Sequence, residues 1–281
     1  MSTDEPHDGQ LETEIAALAV SPASAACVWL GQGGYLFKSP RGTTVMVDAY
    51  LSDYAAEFWG VTRAIPPVVD PARIKPDVFL VTHWHEDHLD APTVRHYAQQ
   101  PDVVFAGPES CVIRARIWGW PAERTVTLER GDRHQFDDVH VTATFARHDE
   151  DAALTLDAVG FLLDFGGVRI WNVADSEYDA RLRPMRDAGI DVMLVPINGV
   201  GGNMNCGPTS STAQAPPSTR RRTARRLPAS GVRRKCGCWS LGRSSSSRLA
   251  EQSKQALLVG SRARHAVPTW LVDAPSKPKP S

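Results

Sequence analysis

The sequence predicts a layered α/β fold. Three observations lead there: short apolar runs recur from Ala26 to about residue 197, turn signals separate them, and helix-like segments are interspersed among them. In chain order, "CVWLG", "YLFKS" and "TTVMVDAYL" read as strands, punctuated by Gly33-Gly34 and by Pro40-Arg41-Gly42. "DVFLVTH" is nearly continuous in apolar character, as a strand covered on both faces should be. Asp90 then stands at a helix N-cap position, with Pro92 in the first turn of "APTVRHYAQQ". "DVVFAG" is a further strand and "PESCVIRARIWGW" a helix. "TVTL", "VHVTATFA", "GFLLDF" and "VRIWNVA" follow as strands, the last two joined at Gly166-Gly167 as a tight hairpin. "YDARLRPMRDAG" reads as a helix despite Pro184, and "DVMLVPI" as a strand.

The chain has 281 residues, 42% of them apolar, enough for a sizeable core in one large domain or two small ones. It contains no run of 18 or more apolar residues, so no membrane span is expected. The opening "MSTDEPHDGQLETE" is acidic and lacks the basic flank of a secretory leader. The expectation is a cytoplasmic protein with a flexible N-terminus over residues 1–25. Cys27, Cys111, Cys206, Cys236 and Cys238 are odd in number and scattered, which agrees with a reducing compartment. Cys236-Gly237-Cys238 lacks the second pair that a zinc site would need.

The net charge of −1 hides an asymmetry. Residues 1–205 carry 16 basic and 30 acidic side chains, whereas residues 206–281 carry 15 basic and 2 acidic ones. From Cys206 the chain runs 45 residues without an acid, and its apolar residues follow neither strand nor helix period. Such a segment offers too little apolar surface to offset ordering entropy. Residues 206–281 are therefore expected to be a disordered basic tail. A genuine tail of this kind would meet nucleic acid or an anionic membrane.

The chemistry concentrates in "VTHWHEDHLD", residues 81–90. His-x-His-x-Asp-His places four metal-capable side chains in six residues, and imidazole and carboxylate are the usual ligands of zinc, iron and manganese. On a loop leaving a buried strand, His83 and His85 can converge on one ion, while Asp87 and His88 can turn towards a neighbouring one. One loop cannot close a coordination sphere. His148 in "ARHDEDA" and Asp175 in "NVADSEYD" each follow a strand-like run and are the candidates to complete it. His96, His134 and His140 read as structural or solvent-exposed. No serine or cysteine stands in a setting that would make it a nucleophile.

With these pieces in hand, the chain resembles the metallo-β-lactamase superfamily, and within it the L-ascorbate-6-phosphate lactonase-like branch. "VWLGQGGYLFKSPRGTTVMVDAYLSD", "PDVFLVTHWHEDHLD", "LDAVGFLLDFGGVRIWNVADSEY" and "DVMLVPINGVGGNMN" carry the resemblance, over residues 26–205 and in the right order. It implies an αβ/βα sandwich of two sheets with outer helices and a site at one edge. It also implies two divalent metal ions, zinc or manganese: His83, His85 and His148 at the first, Asp87 and His88 at the second, and Asp175 bridging them. Asp48 in "MVDAY" matches an acid that supports the ligands from behind, and Asp90 is grouped with it. Ala49 stands where the branch commonly has proline. Asn198 and Asn203 match a loop near the substrate. Water on such an ion ionises with a pKa of about 7 instead of about 15.7. The resulting hydroxide attacks a lactone, ester or phosphoester, with Asp87 or Asp175 moving protons.

The pattern breaks after Asn205. A helix, a strand and a Pro-x-His that supplies the second metal's last ligand are replaced by the basic tail, as a shifted reading frame would do. The expectations are a weak second site and low activity, and whether His265 substitutes for the lost ligand stays open. The alternatives are a phosphodiesterase resembling N-acyl-phosphatidylethanolamine phospholipase D, a nucleic-acid binder or processor using the tail, and an inactive product. A small-molecule substrate is implied, and a homo-oligomer stays open.

Overall fold

The computed structural model describes residues 9–60, 62–63, 65–148, 155–196, 257–258 and 269–273, with backbone only at 257, 258 and 270. In chain order the elements are α1 (Gln10–Ala17), β1 (Ser24–Gly31), β2 (Gly34–Lys38), β3 (Thr44–Val47), α2 (Tyr54–Trp59), β4 (Val78–Leu80), α3 (Ala91–Ala98), β5 (Val104–Gly107), α4 (Glu109–Ile117), β6 (Thr125–Thr127), β7 (Arg133–Phe136), β8 (Val139–Phe145), β9 (Val159–Asp164), β10 (Arg169–Asn172), β11 (Val192–Leu194), β12 (Leu257–Leu258) and β13 (Thr269–Asp273). They build two sheets. One runs β12-β13-β1-β2-β3-β4-β5-β6 and the other β11-β10-β9-β8-β7.

Side-chain alternation explains how the layers stack. In β3, Val45 and Val47 enter the core between the sheets, while Met46 faces the helices. In β4, Val78 and Leu80 point between the sheets and Phe79 points to the helices. Val139, Val141 and Ala143 of β8 answer from the second sheet. On the helix side, Val94 and Tyr97 of α3 and Cys111 and Val112 of α4 bury Phe79, Phe105 and Trp120. The outer face of the second sheet buries Trp171 and Val173 under Leu182. The layers are those of the expected sandwich.

Strand direction sets where the chemistry emerges. β3 and β4 are parallel neighbours, so Asp48 and Thr82 leave the first sheet at one edge. β8 and β10 are both antiparallel to β9, so they run the same way and deliver His148 and Asp175 to one edge of the second sheet. The Val159 amide at the start of β9 donates to the Thr82 carbonyl at 3.0 Å, which joins the two edges.

The structure departs from the sequence expectation in several places. Residues 180–187 form a 3₁₀ helix in place of an α-helix. Pro184 lacks the amide that a full α-helical ladder would use. The strand expected over "TTVMVDAYL" stops at Val47, because Asp48 takes a left-handed φ of 48°. The N-terminal stretch is not loose where it is described. α1 buries Ile15, the Glu12 carboxylate accepts the Asp70 amide at 2.7 Å, and the Lys38 ammonium donates to the Ile15 and Ala16 carbonyls at 2.9 Å.

The expectation of an unstructured tail is likewise corrected at 257–258 and 269–273. β13 pairs antiparallel with β1 from Ser24↔Asp273 to Val28↔Thr269, the Ser24 hydroxyl donates to Asp273 at 2.6 Å, and Val272 packs on the core between the sheets. The remainder of residues 206–281 lies outside the described residues. Among the described residues no helix is long and apolar enough to cross a membrane.

Candidate metal centre

The loop after β4 folds back tightly, with the amides of His88 and Leu89 donating to the His85 carbonyl at 2.9 and 2.7 Å. This turn brings residues 83–88 against the ends of β8 and β10. The two distant segments are fastened to each other: the Arg147 amide donates to the Ser176 hydroxyl at 2.9 Å and the Glu177 amide to the Arg147 carbonyl at 2.7 Å. Ala174, next to Asp175, holds a left-handed φ of 59°, with its amide bonded to the Asn172 side chain.

The result is two groups of potential ligands that share one residue. Ligand atoms of His83, His85 and His148 lie within 4.8 Å of one another, and so do those of His83, His88 and Asp175. His85 Nδ1 stands 3.1 Å from His83 Nε2 and 3.0 Å from His148 Nε2. His88 Nε2 stands 3.2 Å from the Asp175 carboxylate and 3.8 Å from that of Asp87. His83, His88 and His148 are buried, and His85, Asp87 and Asp175 are partly exposed, so the opening lies on their side.

Asp48 organises both groups. Its carboxylate accepts the Thr82 amide at 2.8 Å, the Thr82 hydroxyl at 2.7 Å and His88 Nδ1 at 3.0 Å. Because the Thr82 hydroxyl donates to Asp48, it accepts from His83 Nδ1 at 2.9 Å. That assigns the proton of His83 to Nδ1 and leaves Nε2 as a bare lone pair facing His85.

The donor set fits a divalent cation. Three imidazole nitrogens crowd together with lone pairs to satisfy, and tetrahedral zinc with bonds of about 2.0–2.1 Å would hold nitrogens about 3.4 Å apart. The observed 3.0 and 3.1 Å differ from that by a few tenths of an ångström.

The electrostatics agree. Burial depresses the His83 pKa well below the usual imidazole value, and the neighbouring imidazoles His88, His148 and His85 add to the effect. For His88, burial is the largest single influence and lowers the pKa, but Asp175, Asp87 and Asp48 together outweigh it and raise it. Burial also raises Asp87, although His88 pulls the other way. Asp175 is lowered: burial pushes it up, and the charge and hydrogen bond of His88 prevail. Three carboxylates around one imidazole form a pocket that a proton or a metal cation balances.

Asp90 does different work. It accepts the Leu51 amide at 3.0 Å, the Ser52 hydroxyl at 2.6 Å and the Thr93 hydroxyl, fastening residues 51–52 to the start of α3. It occupies the N-cap position without a capping bond to a backbone amide.

Sequence reasoning passed over Thr82, Ser176 and Gly33. A Cβ on Gly33 would lie 3.0 Å from His88 Cε1, so the first hairpin presses on that ring. The signal for Thr82 was its place between strand and loop; Ser176 offered none. Asn198, Asn203, His265, Cys206, Cys236 and Cys238 lie outside the described residues.

Comparison with known proteins sets this geometry in context. The sequence profile of the β-lactamase superfamily domain matches residues 43–235. The probable L-ascorbate-6-phosphate lactonase of Salmonella paratyphi B is 30% identical over 207 residues, covering 60% of this chain and 58% of that protein. The counterpart from Salmonella newport matches equally well, and this chain thus spans under two thirds of these curated relatives' length. Among solved structures, a possible metal-dependent hydrolase from Veillonella parvula is similar at a TM-score of 0.52 with 14% identity, covering 66% of this chain and 78% of that one. An isothiocyanate hydrolase from Delia radicum gut bacteria is similar at 0.50 with 18% identity, covering 65% and 76%.

Proposed function

The chain belongs to the β-lactamase superfamily, and from that premise we propose that it is a metal-dependent hydrolase of a small-molecule lactone, ester or phosphoester. The observation that carries this reading is the convergence of His83, His85 and His148, from the ends of two different sheets, at nitrogen separations of 3.0 and 3.1 Å. In this reading those three hold one divalent ion, zinc or manganese. Asp87 and His88 hold a second, with Asp175 between the two. The Pro-x-His of the related pattern is missing from the sequence, so the second ion is held more weakly. When bound, such ions polarise the scissile group and acidify water near neutral pH.

The chain's own residues do the remaining work. Asp48 and Thr82 keep His83 in the tautomer that turns a bare nitrogen inward, and Asp48 holds the His88 ring with Nε2 towards Asp175. Asp87, with a side chain 32% exposed, stands nearest to solvent in its group, where its carboxylate would take the proton released by the attacking water and hand it to the leaving oxygen. Asp175, hydrogen-bonded to His88, remains an anion. Residues 26–205 carry the activity, and β13, from outside them, adds a strand to their first sheet. The similarity to proteins named as probable lactonases supports trying lactones first.

The test is a panel of a lactone, a carboxylic ester and a phosphodiester, run with and without a chelator. Turnover of the lactone or ester that chelation abolishes and zinc or manganese restores is the expected result. Turnover insensitive to chelation, or none after metal loading, would remove the proposal.

A further inference from the structure

We propose that Trp59 and Phe58 of α2 form a wall beside the metal loop that receives an apolar or aromatic arm of the substrate. This rests on the hydrolase reading and narrows it to esters or lactones with a bulky apolar substituent.

The wall is built from large apolar side chains left in the open. Phe58 is 55% and Trp59 57% exposed, whereas Phe37, Phe79, Phe105, Phe161 and Tyr97 are fully buried. Exposed aromatics that are grouped mark a recognition surface more often than scattered ones do. Position ties this pair to the chemistry. The Trp59 indole N–H donates to the Glu86 carboxylate at 2.9 Å, and Glu86 sits between His85 and Asp87 in the loop. An exposed indole would otherwise sample several rotamers; this bond fixes its plane against the loop. Phe58 is fixed in turn by Tyr54, with ring centroids 4.9 Å apart in an edge-on arrangement. Gly60, at φ 65°, ends the helix directly after the indole. Trp84, next to His85 in the loop, lies 5.1 Å from it ring to ring and is covered by the Arg114 guanidinium at 4.6 Å. Two indoles thus touch the loop, Trp59 at Glu86 and Trp84 at His85. A flat apolar group lying against Trp59 beside Glu86 would meet an indole with few rotamers left to freeze.

The experiment measures binding of 4-phenylbutyrate and butyrate, as product-like carboxylates, by calorimetry on zinc-loaded wild type, Trp59→Ala and Trp59→Phe. Metal content and circular dichroism serve as controls. Wild type should prefer phenylbutyrate, and Trp59→Ala should weaken phenylbutyrate about tenfold while leaving butyrate and metal content unchanged. Trp59→Phe should retain most of the preference. Equal effects on both acids, or no effect on either, would overturn the wall. Hydrolysis of an ester or lactone without this discrimination also counts against it. Discrimination without any hydrolysis would uphold the wall and remove the hydrolase reading instead.

Discussion

The two halves of the candidate metal centre are built by different means. The half on the first sheet is assembled locally. Asp48 and Thr82 leave adjacent parallel strands, and one buried carboxylate directs His88 directly and His83 through a hydroxyl. The half on the second sheet is assembled at a distance. His148 and Asp175 sit on loops three residues beyond β8 and β10, and their positions depend on the bonds between Arg147, Ser176 and Glu177. The first half is orientated by a charged acceptor inside the core, and the backbone of the second by neutral hydrogen bonds, with the partly exposed Arg147–Glu177 ion pair at 3.6 Å beside them. Charge-assisted bonds are roughly twice as strong as neutral ones, so the two halves should differ in tolerance to change.

Replacing Asp48 tests the stronger half and should have the largest effect. Asp48→Ala leaves the Thr82 amide and His88 Nδ1 without their acceptor, and both ligand groups lose their orientation. Metal affinity should fall by about 10–100-fold, and unfolding free energy by about 1–3 kcal/mol. Titration with zinc and urea denaturation measure the two. Thr82→Val comes next. It removes the hydroxyl between Asp48 and His83 but not the bond from His88 to Asp48. It should weaken the ion at His83, His85 and His148 by about tenfold and the second ion less, as differential zinc titration will register. Ser176→Ala probes the weaker half and should have the smallest effect. The Arg147 amide loses its acceptor, at a cost of about 1 kcal/mol. Metal affinity should drop only a few-fold; a loss as deep as that of Asp48→Ala would erase the contrast.

The sequence disclosed the first half more fully than the second for the same reason. His83, His85, Asp87 and His88 are adjacent in the chain, and "DVFLVTH" announces the strand that presents them. His148 and Asp175 could be picked out because each follows an apolar run, but their meeting depends on strand order, which no local pattern encodes. Thr82 and Asp48 meet through a parallel pairing across residues 48–82, and Ser176 acts through a backbone contact. Neither relation leaves a periodic trace. The elements that went unread share a cause as well. "RHQF" of β7 lacks apolar alternation, α2 is too short to show a helical period, and β13 lies in a tail whose composition argues against order. Pairing with β1 supplied the order that composition withheld.

In this reading, side chains from both sheets share a cation. Metal content of purified wild type and of His148→Ala, measured by mass spectrometry after dialysis against zinc and checked for an intact fold by circular dichroism, tests it most directly. The account predicts at least one tightly held ion in wild type and its loss in His148→Ala. A folded His148→Ala protein that retains zinc as wild type does, or a wild type that binds none, would contradict it.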